Sequence, residues 1–470
     1  MKKRTFYILA GPACFALTGA ALSDGFGAQA AMAVGLILWM GLWWITRPVH
    51  IAVTALLPIP VNAFFSLIPG QQLISQYFSE IVVLLLGADF ICQTWGRTGL
   101  DKRLAISALC CIGPNTRQQI GVWLTASAVM SVFLPNVVVA AIFVPVALAM
   151  LEFEGEHVKT SRIAQAVLLA IVWGAGIGGF GSPLGGSANL VAISYLENII
   201  GREFMYIDWI GRFVPLLALV ILLNLVILLR LPLEKDELPG SRKYFKKLLH
   251  DMGPMSYGEK LGLGLFLAAM LLSFLRPLYA ACAPGLRPAY VFFTFGLLPF
   301  FLEGEKEHHQ PLLVWTEAAK NTGWGLIFLF AGGLALGRLV TATGAAVQLA
   351  KCITLLPLSG GPETLFVFTG FATLLTEISS NTAAASIAIP VIESIARELA
   401  LDPLPYVLLS IVAVNCAYVL PVSVRAIPIA YGLDPQALFH NGLVLTLCNI
   451  LLTTAAGYLL LQYVPAFGKL

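Results

Sequence analysis

Two asparagines and one arginine stand where a chain this apolar has little reason to carry polar groups. Asn136 follows Pro135 in the middle of the apolar run 119–151. Asn381 sits in Ser379-Ser380-Asn381-Thr382, in the middle of the run 362–398. Each run reads as two half-helices meeting at a polar tip, a re-entrant hairpin, because non-helical backbone at membrane depth needs cover from protein or a cavity. A half-helix amino terminus presents free N–H groups and a positive dipole end, which suit an anion. Half-helix carboxyl ends and unwound carbonyls suit a small cation such as sodium. One asparagine amide supplies both donor and acceptor, and Ser379, Ser380 and Thr382 add hydroxyls. A helix cap is the plain alternative for Asn381 taken alone. A polar tip repeated at a fixed spacing favours a binding site instead.

The spacing is fixed. Gly87, Gly99, Asn136 and Pro145 each have an identical residue 245 positions later, at Gly332, Gly344, Asn381 and Pro390. The surrounding runs agree in character, Ala140-Ala141-Ile142-Phe143-Val144-Pro145-Val146 with Ala385-Ser386-Ile387-Ala388-Ile389-Pro390-Val391. Internal repeats with helices interrupted at matching positions point to a secondary transporter and to its binding site. Two further runs are broken: 163–200 by a series of glycines and Pro183, and 403–431 by Pro421 and Pro428. Pro183 and Pro428 are again 245 apart.

Arg425 is the one basic residue placed inside a membrane-depth break, in Pro421-Val422-Ser423-Val424-Arg425-Ala426-Ile427-Pro428. A guanidinium there is costly unless an anion accompanies it. Three readings stand: a bidentate partner for a substrate carboxylate or oxyanion, a fixed charge replacing a coupling cation, or a structural pair with Glu377 or Asp89. Glu377 alternatively caps or orients the second tip. Asp89, in a glycine-rich helix, reads as structural.

The elements that must position these residues are transmembrane helices. The chain is 58% hydrophobic and only 11% charged, under half the charge of an ordinary soluble domain. Apolar runs long enough to span a bilayer recur along its whole length, and they are continuous rather than alternating, which excludes a β-barrel. The fold class is therefore an all-α polytopic membrane protein, an inverted-repeat transporter. The eight cysteines have no metal-ligand spacing and read as small buried hydrophobes. His308 and His309 lie in a polar loop without ligand partners, and no histidine proton relay is evident. The basic start Lys2-Lys3-Arg4 reads as the flank of a retained first helix.

Basic residues set the orientation. Arg47, Arg97, Lys102, Arg103, Arg117, Lys159 and Arg162 share one side with the amino terminus and with the 230–260 loop, which carries Arg242, Lys243, Lys246 and Lys247. That side is expected to be cytoplasmic, with the carboxyl terminus outside and a bacterial inner (plasma) membrane as the location. The first hairpin then enters from the cytoplasm and the second from outside. The expected organisation is amino-terminal scaffold helices over 1–79, a first inverted repeat over 80–230, a basic loop and connecting scaffold helices over 231–323, and a second repeat over 324–470.

At this point the residues resemble the divalent anion/sodium symporter family of the ion transporter superfamily. Thr376-Glu377-Ile378-Ser379-Ser380-Asn381-Thr382-Ala383 resembles its second Ser-Asn-Thr signature, Leu329 to Leu336 resembles the family, and Gly178 to Leu190 resembles its glycine-rich loop, with Asn189 kept. The resemblance implies 11 spans plus two hairpins, a homodimer built on a scaffold domain, and elevator motion of a transport domain. The expected substrate contacts are Asn136, Val137, Asn189, Ser380, Asn381 and Thr382, and Arg425, read from its own place in the break and not from the family, is the expected countercharge. Cation contacts would come from Gly181, Ser187, Ser379 and Ser423. Three departures stand out: Pro135-Asn136-Val137 replaces the first Ser-Asn-Thr, Val424-Arg425-Ala426-Ile427 replaces the second Thr-Pro-Pro-Asn, and the first such loop loses both prolines. Pro135, Val137 and Ile427 offer sodium no side-chain oxygen.

The expected function is secondary transport of a small anion, a di- or tricarboxylate, with sodium-independent exchange favoured because Arg425 could bring the charge that sodium otherwise brings. The partners are that anion, the lipid bilayer and a second copy of the chain, with no nucleic acid. No cofactor is expected beyond sodium as a coupling ion. The alternatives are a sodium-coupled symporter of sulfate or another inorganic oxyanion, and a cation/proton antiporter, which would want carboxylates at the breaks. An enzyme is not expected, since no nucleophile–base or metal constellation falls at membrane depth.

Overall fold

The computed structural model describes residues 2–305, 310–353, 358–464 and 467–468. His308 and His309 lie outside them. The apolar runs are helices throughout. α1 (Lys2–Phe26) and α2 (Ala28–Thr46) fold back on each other around Gly27, whose φ of 83° favours glycine. The next run breaks into α3 (Ile51–Ala55) and α4 (Pro58–Phe65), because Pro58 has no N–H to continue the ladder. After α5 (Gly70–Ile74) comes α6 (Glu80–Thr98), ended by Gly99 in the left-handed region, and then α7 (Leu100–Leu109).

α8 (Thr116–Phe133) and α9 (Asn136–Phe153) are the arms of the first hairpin. α10 (Arg162–Gly178) unwinds through Gly179–Gly181 and restarts as α11 (Ser187–Ile200), and α12 (Tyr206–Leu229) follows. The connection holds α13 (Ser241–Asp251), α14 (Tyr257–Phe274), the single turn α15 (Arg276–Tyr279), α16 (Pro288–Leu297), a short antiparallel pair (Glu303–Glu305 with Gln310–Pro311) and α17 (Trp315–Asn321). The sequence of elements then repeats: α18 (Trp324–Ala342), α19 (Ala345–Ile353), hairpin arms α20 (Pro362–Ile378) and α21 (Asn381–Glu398), the broken helix α22 (Pro403–Asn415) and α23 (Ala426–Ala430), and α24 (Pro435–Tyr463). Nine of the described helices are long and apolar enough to cross a bilayer. The chain is an all-α polytopic membrane protein.

The two repeats run in opposite directions. Gln93 and Arg97, near the carboxyl end of α6, donate to the Thr322 hydroxyl at 3.2 Å and the Leu312 carbonyl at 3.2 Å, just before α18 begins. α18 therefore starts where α6 stops. The 245-residue register holds through the hairpins, where α9 and α21 both start at the tip asparagine and both span 18 residues. It then slips, because α10 ends at Gly178 and α22 at Asn415, 237 positions apart. Pro183 falls in the loop after the first break, whereas Pro428 lies inside α23. Their 245-residue spacing therefore does not mark equivalent positions.

Packing explains the glycines. Without a hydrophobic force between helices in lipid, close backbone approach through small residues does much of the holding. Gly174 and Gly178, one turn apart on α10, lie against the Leu124 and Ala128 carbonyls of α8. The repeat-related pair behaves alike: Gly87 lies against the Phe292-Phe293 backbone of α16, and Gly332 against the Ala55 backbone of α3. α10 and α22 form the centre, and every residue of α22 is buried. The outward faces of α12 and α24 expose Leu219, Leu222, Leu447 and Leu451, which a bilayer solvates and water would not. Of the cysteines, Cys416 is buried while Cys111 and Cys282 are exposed, so the reading of all eight as buried hydrophobes does not hold for those two.

Substitution Gly178→Ala sets a methyl group against the Ala128 carbonyl and should destabilise the fold by about 1–3 kcal/mol. Gly264→Ala, whose added carbon meets nothing within 4 Å, should leave it unchanged. Thermal unfolding of both variants in detergent checks the contrast, and equal melting temperatures would contradict the packing assigned to α8 and α10.

Candidate functional site

A broken helix leaves backbone groups without partners, and the second break shows how they are satisfied. The Glu377 carboxylate, on the last turn of α20, accepts from the N–H groups of Tyr418 (2.7 Å), Val419 (2.9 Å) and Leu420 (3.4 Å), and from the Thr446 hydroxyl at 2.9 Å. Arg425 does the complementary work. Its Nε donates to the Leu420 carbonyl at 2.6 Å, Nη1 to Ala417 at 3.0 Å, and Nη2 to Thr376 at 3.4 Å. Nη2 lies 3.9 Å from the Glu377 carboxylate. Arg425 is 2% exposed. Its charge is compensated and its donors face backbone, which corrects the expectation that it presents a guanidinium to substrate. Asp89 is not its partner; that carboxylate accepts from Gln93 at 2.6 Å.

The first break uses neutral groups. Asn189 Nδ2 donates to the Gly179 and Ser182 carbonyls at 2.7 and 2.8 Å. The Ser182 hydroxyl accepts from the Leu184 and Gly185 N–H groups, both at 3.2 Å, and donates to Val132 at 2.5 Å. Asn189 Oδ1 accepts from Asn415 Nδ2 at 3.0 Å, and Asn415 Oδ1 lies 3.5 Å from Asn381 Nδ2. Three asparagines thus connect the first break, the second break and the second hairpin tip. Asn189 is fully buried and its amide is occupied, so in this conformation it orders the site rather than facing its opening. Asn415 escaped the sequence reading because it closes the apolar run Ile411-Val412-Ala413-Val414 with no motif around it; its only signal was a polar side chain ending a membrane helix.

The amino termini of α11 and α21 meet. The Ser187 and Thr382 hydroxyls hydrogen-bond to each other. Ser380 caps α21 by accepting from the Ala383 N–H at 3.2 Å, while the Ser379 hydroxyl turns back to the Leu375 carbonyl at 2.6 Å. Asn381 Oδ1 lies 3.0 Å from the Thr376 hydroxyl. Two positive dipole ends therefore converge on one locus, which suits a carboxylate. Gly181 is buried against the Val132 and Leu217 side chains.

A cavity of about 700 Å³ opens beside this locus. Val137 of the first tip, Ser380 of the second tip and Ser423 at the second break all line it. Val137 is 45% exposed, and Asn136 is half-buried next to it, its own amide oxygen accepting from the Val137 N–H at 2.9 Å. The structure thus places Val137, Ser380 and Ser423 on one cavity, and Ser187, Asn189, Asn381 and Thr382 in the bonded cluster behind it. Arg425 belongs to the clamp.

Removing either partner of the Glu377–Arg425 clamp leaves a buried uncompensated charge, at a cost of about 3–5 kcal/mol. Arg425→Ala and Glu377→Ala should both lower the melting temperature and the yield of folded protein. A variant Arg425→Ala that folds as well as the parent and loses only substrate binding would restore the substrate-contact reading.

A model of the citrate transporter family (CitMHS) matches residues 41–413. A sodium-dependent dicarboxylate transporter, SdcS, of Staphylococcus saprophyticus is 28% identical over 442 residues, covering 90% of this chain and 84% of that protein. The protein of the same name in Staphylococcus aureus (strain NCTC 8325) is 27% identical over 417 residues, covering 85% and 79%. Among solved structures, the crystal structure of the Alcanivorax borkumensis YdaH transporter superposes with a TM-score of 0.57 at 13% identity, covering 93% of this chain and all of that one, a likeness of fold. These relatives are transporters and not enzymes. The match over residues 41–413, which spans both hairpins and the first broken helix and reaches into α22, places this chain in the citrate transporter family.

Proposed function

We propose that this protein carries di- or tricarboxylates across a bacterial inner membrane by alternating access, with sodium as the coupling ion. The observation that carries this reading is the convergence of both hairpin tips and the second break on one cavity beside two opposed helix amino termini. Hydroxyls and positive dipole ends recognise carboxylates. Among the described residues no aspartate or glutamate lines the cavity, which argues against a cation substrate. The Staphylococcus relatives bear the name sodium-dependent dicarboxylate transporter, which supports both substrate class and coupling.

The case for sodium-independent exchange rested on Arg425 as an unpaired positive charge. Glu377 neutralises it, so the core presents no net charge to a divalent anion. Sodium is then the natural source of the missing charge, held by hydroxyl and carbonyl oxygens around Ser187, Ser379 and Ser423. In this reading residues 1–79 and 231–323 form a scaffold through which two copies associate. The hairpins with α10–α12 and α22–α24 move against it as an elevator. The amino terminus is cytoplasmic and the carboxyl terminus outside.

Reconstituted protein should take up labelled succinate or citrate saturably in sodium and not in choline. Asn381→Ala and Thr382→Val should lower uptake by on the order of tenfold or more while leaving the fold intact, as loss of a hydrogen bond to a charged group costs ~1.5–3 kcal/mol. Uptake that persists in choline supports exchange instead. Uptake of sulfate with neither carboxylate selects the inorganic oxyanion.

A further inference from the structure

The countercharge missing from the core stands at the cavity's mouth. Arg4, Arg47 and His50 line the cavity that Val137, Ser380 and Ser423 line from the other side. Arg4 Nε donates to the Pro48 carbonyl at 2.9 Å, which pins it beside Arg47. Among the described residues the lining includes no carboxylate, and the sequence has no aspartate or glutamate between residues 25 and 79. Two guanidiniums share one concavity, and among the described residues no carboxylate in its lining neutralises them.

Backbone geometry singles out Arg47. It closes α2 with φ 48° and ψ 48°, a left-handed conformation that costs a non-glycine residue energy and that glycine usually fills. Ser423, across the cavity, has φ 57°. Two of the four described non-glycine residues with positive φ therefore border the same cavity. The left-handed stop, with the Arg47 N–H bonded to the Trp43 carbonyl, fixes Arg47 at the cavity's edge.

The opposite end of the molecule differs. Arg287 pairs with Glu80 at 2.5 Å and with Glu197 at 2.7 Å, and Arg276 pairs with Glu203 at 3.0 Å. Glu80 opens α6, and Arg97 closes it beside the start of α18, where Leu326 enters the cavity. The two arginine clusters thus lie at opposite ends of a helix about 28 Å long. The cluster at the Glu80 end is neutralised; the one at the cavity is not.

We propose that Arg47, supported by Arg4, is the anion's countercharge in this access state only, a specificity-determining contact on the amino-terminal side of the membrane. This rests on the anion-transport reading above. The second tip and the second break carry Ser380 and Ser423 to Arg47 when the cavity opens on this side. When the tips open on the other side, Arg47 is out of reach. A fixed guanidinium favours di- and trivalent carboxylates over monovalent ones and draws them from solution in a salt-dependent way.

Vesicles of both orientations, carrying the parent, Arg47→Gly, Arg47→Lys or Arg4→Gln, test this with labelled succinate and citrate. Arg47→Gly removes the charge and relieves the left-handed backbone, so folding should be kept. Half-saturation from the amino-terminal side should rise about tenfold, as expected for losing one close opposite charge, and that from the other side should hold. Arg47→Lys should recover part of the loss, and the gap between parent and Arg47→Gly should shrink in high potassium chloride. Equal half-saturation for parent and Arg47→Gly on both sides overturns the proposal and leaves Arg47 as an interfacial basic residue. An equal rise on both sides overturns its sidedness. A parent protein that moves neither carboxylate in either orientation overturns the function reading itself.

Discussion

A helix interrupted at membrane depth must find partners for the backbone groups it frees, and this fold is arranged around that requirement. The second break, between α22 and α23, hands three N–H groups to Glu377 and two carbonyls to Arg425. Each ion of the pair would be expensive alone, and their mutual attraction offsets only part of the cost. The backbone hydrogen bonds supply the rest. The pair therefore replaces a turn of helix with side chains. It also ties the hairpin arm α20 to the broken helix, since Glu377 belongs to one and the stretch it holds belongs to the other. The first break does the same with Asn189 and Ser182, and Asn415 joins the two solutions.

That difference between the breaks explains what the sequence revealed and what it hid. The hairpins were legible because a tip asparagine, a distant proline and apolar arms recur at one spacing, and α9 and α21 begin at those asparagines. The inverted arrangement was legible from the basic residues. Beyond the hairpins the spacing misleads, since eight fewer residues separate the helix ends than separate the tips. Arg425 was recognised as a charge in need of an anion. Its partner, however, is set by how α20 packs on the stretch 416–422, and only the fold brings those segments together. Asn415 carried no pattern, because hydrogen-bonding through a single amide needs no neighbours in sequence. Arg47 and Arg4 read as ordinary interfacial cations until the hairpin tips were seen beside them.

A core without net charge constrains the transport chemistry. A divalent carboxylate that enters it loses hydration, and two helix amino termini together supply roughly one unit of positive charge. Hydroxyls at Ser187, Ser380 and Thr382 add directional hydrogen bonds but no charge. The remaining imbalance must be met by a co-bound cation, by a side chain outside the core, or by both. Sodium held near the tips would travel with the anion and couple its gradient to transport. A scaffold arginine would not travel and therefore cannot drive anything.

These two sources of charge have different consequences. A cation that moves with the substrate changes the equilibrium distribution across the membrane. A fixed arginine that meets the substrate on one side changes the affinity of one access state, and an equal penalty must then be met when the tips carry the anion away. It leaves the final gradient untouched and alters which step of the cycle is slow. An asymmetric molecule, with arginines paired to glutamates at the Glu80 end of α6 and Arg4 and Arg47 without a carboxylate partner among the described residues at the cavity, would thus bind its anion more tightly on the amino-terminal side. Its stoichiometry would still be set at the hairpin tips.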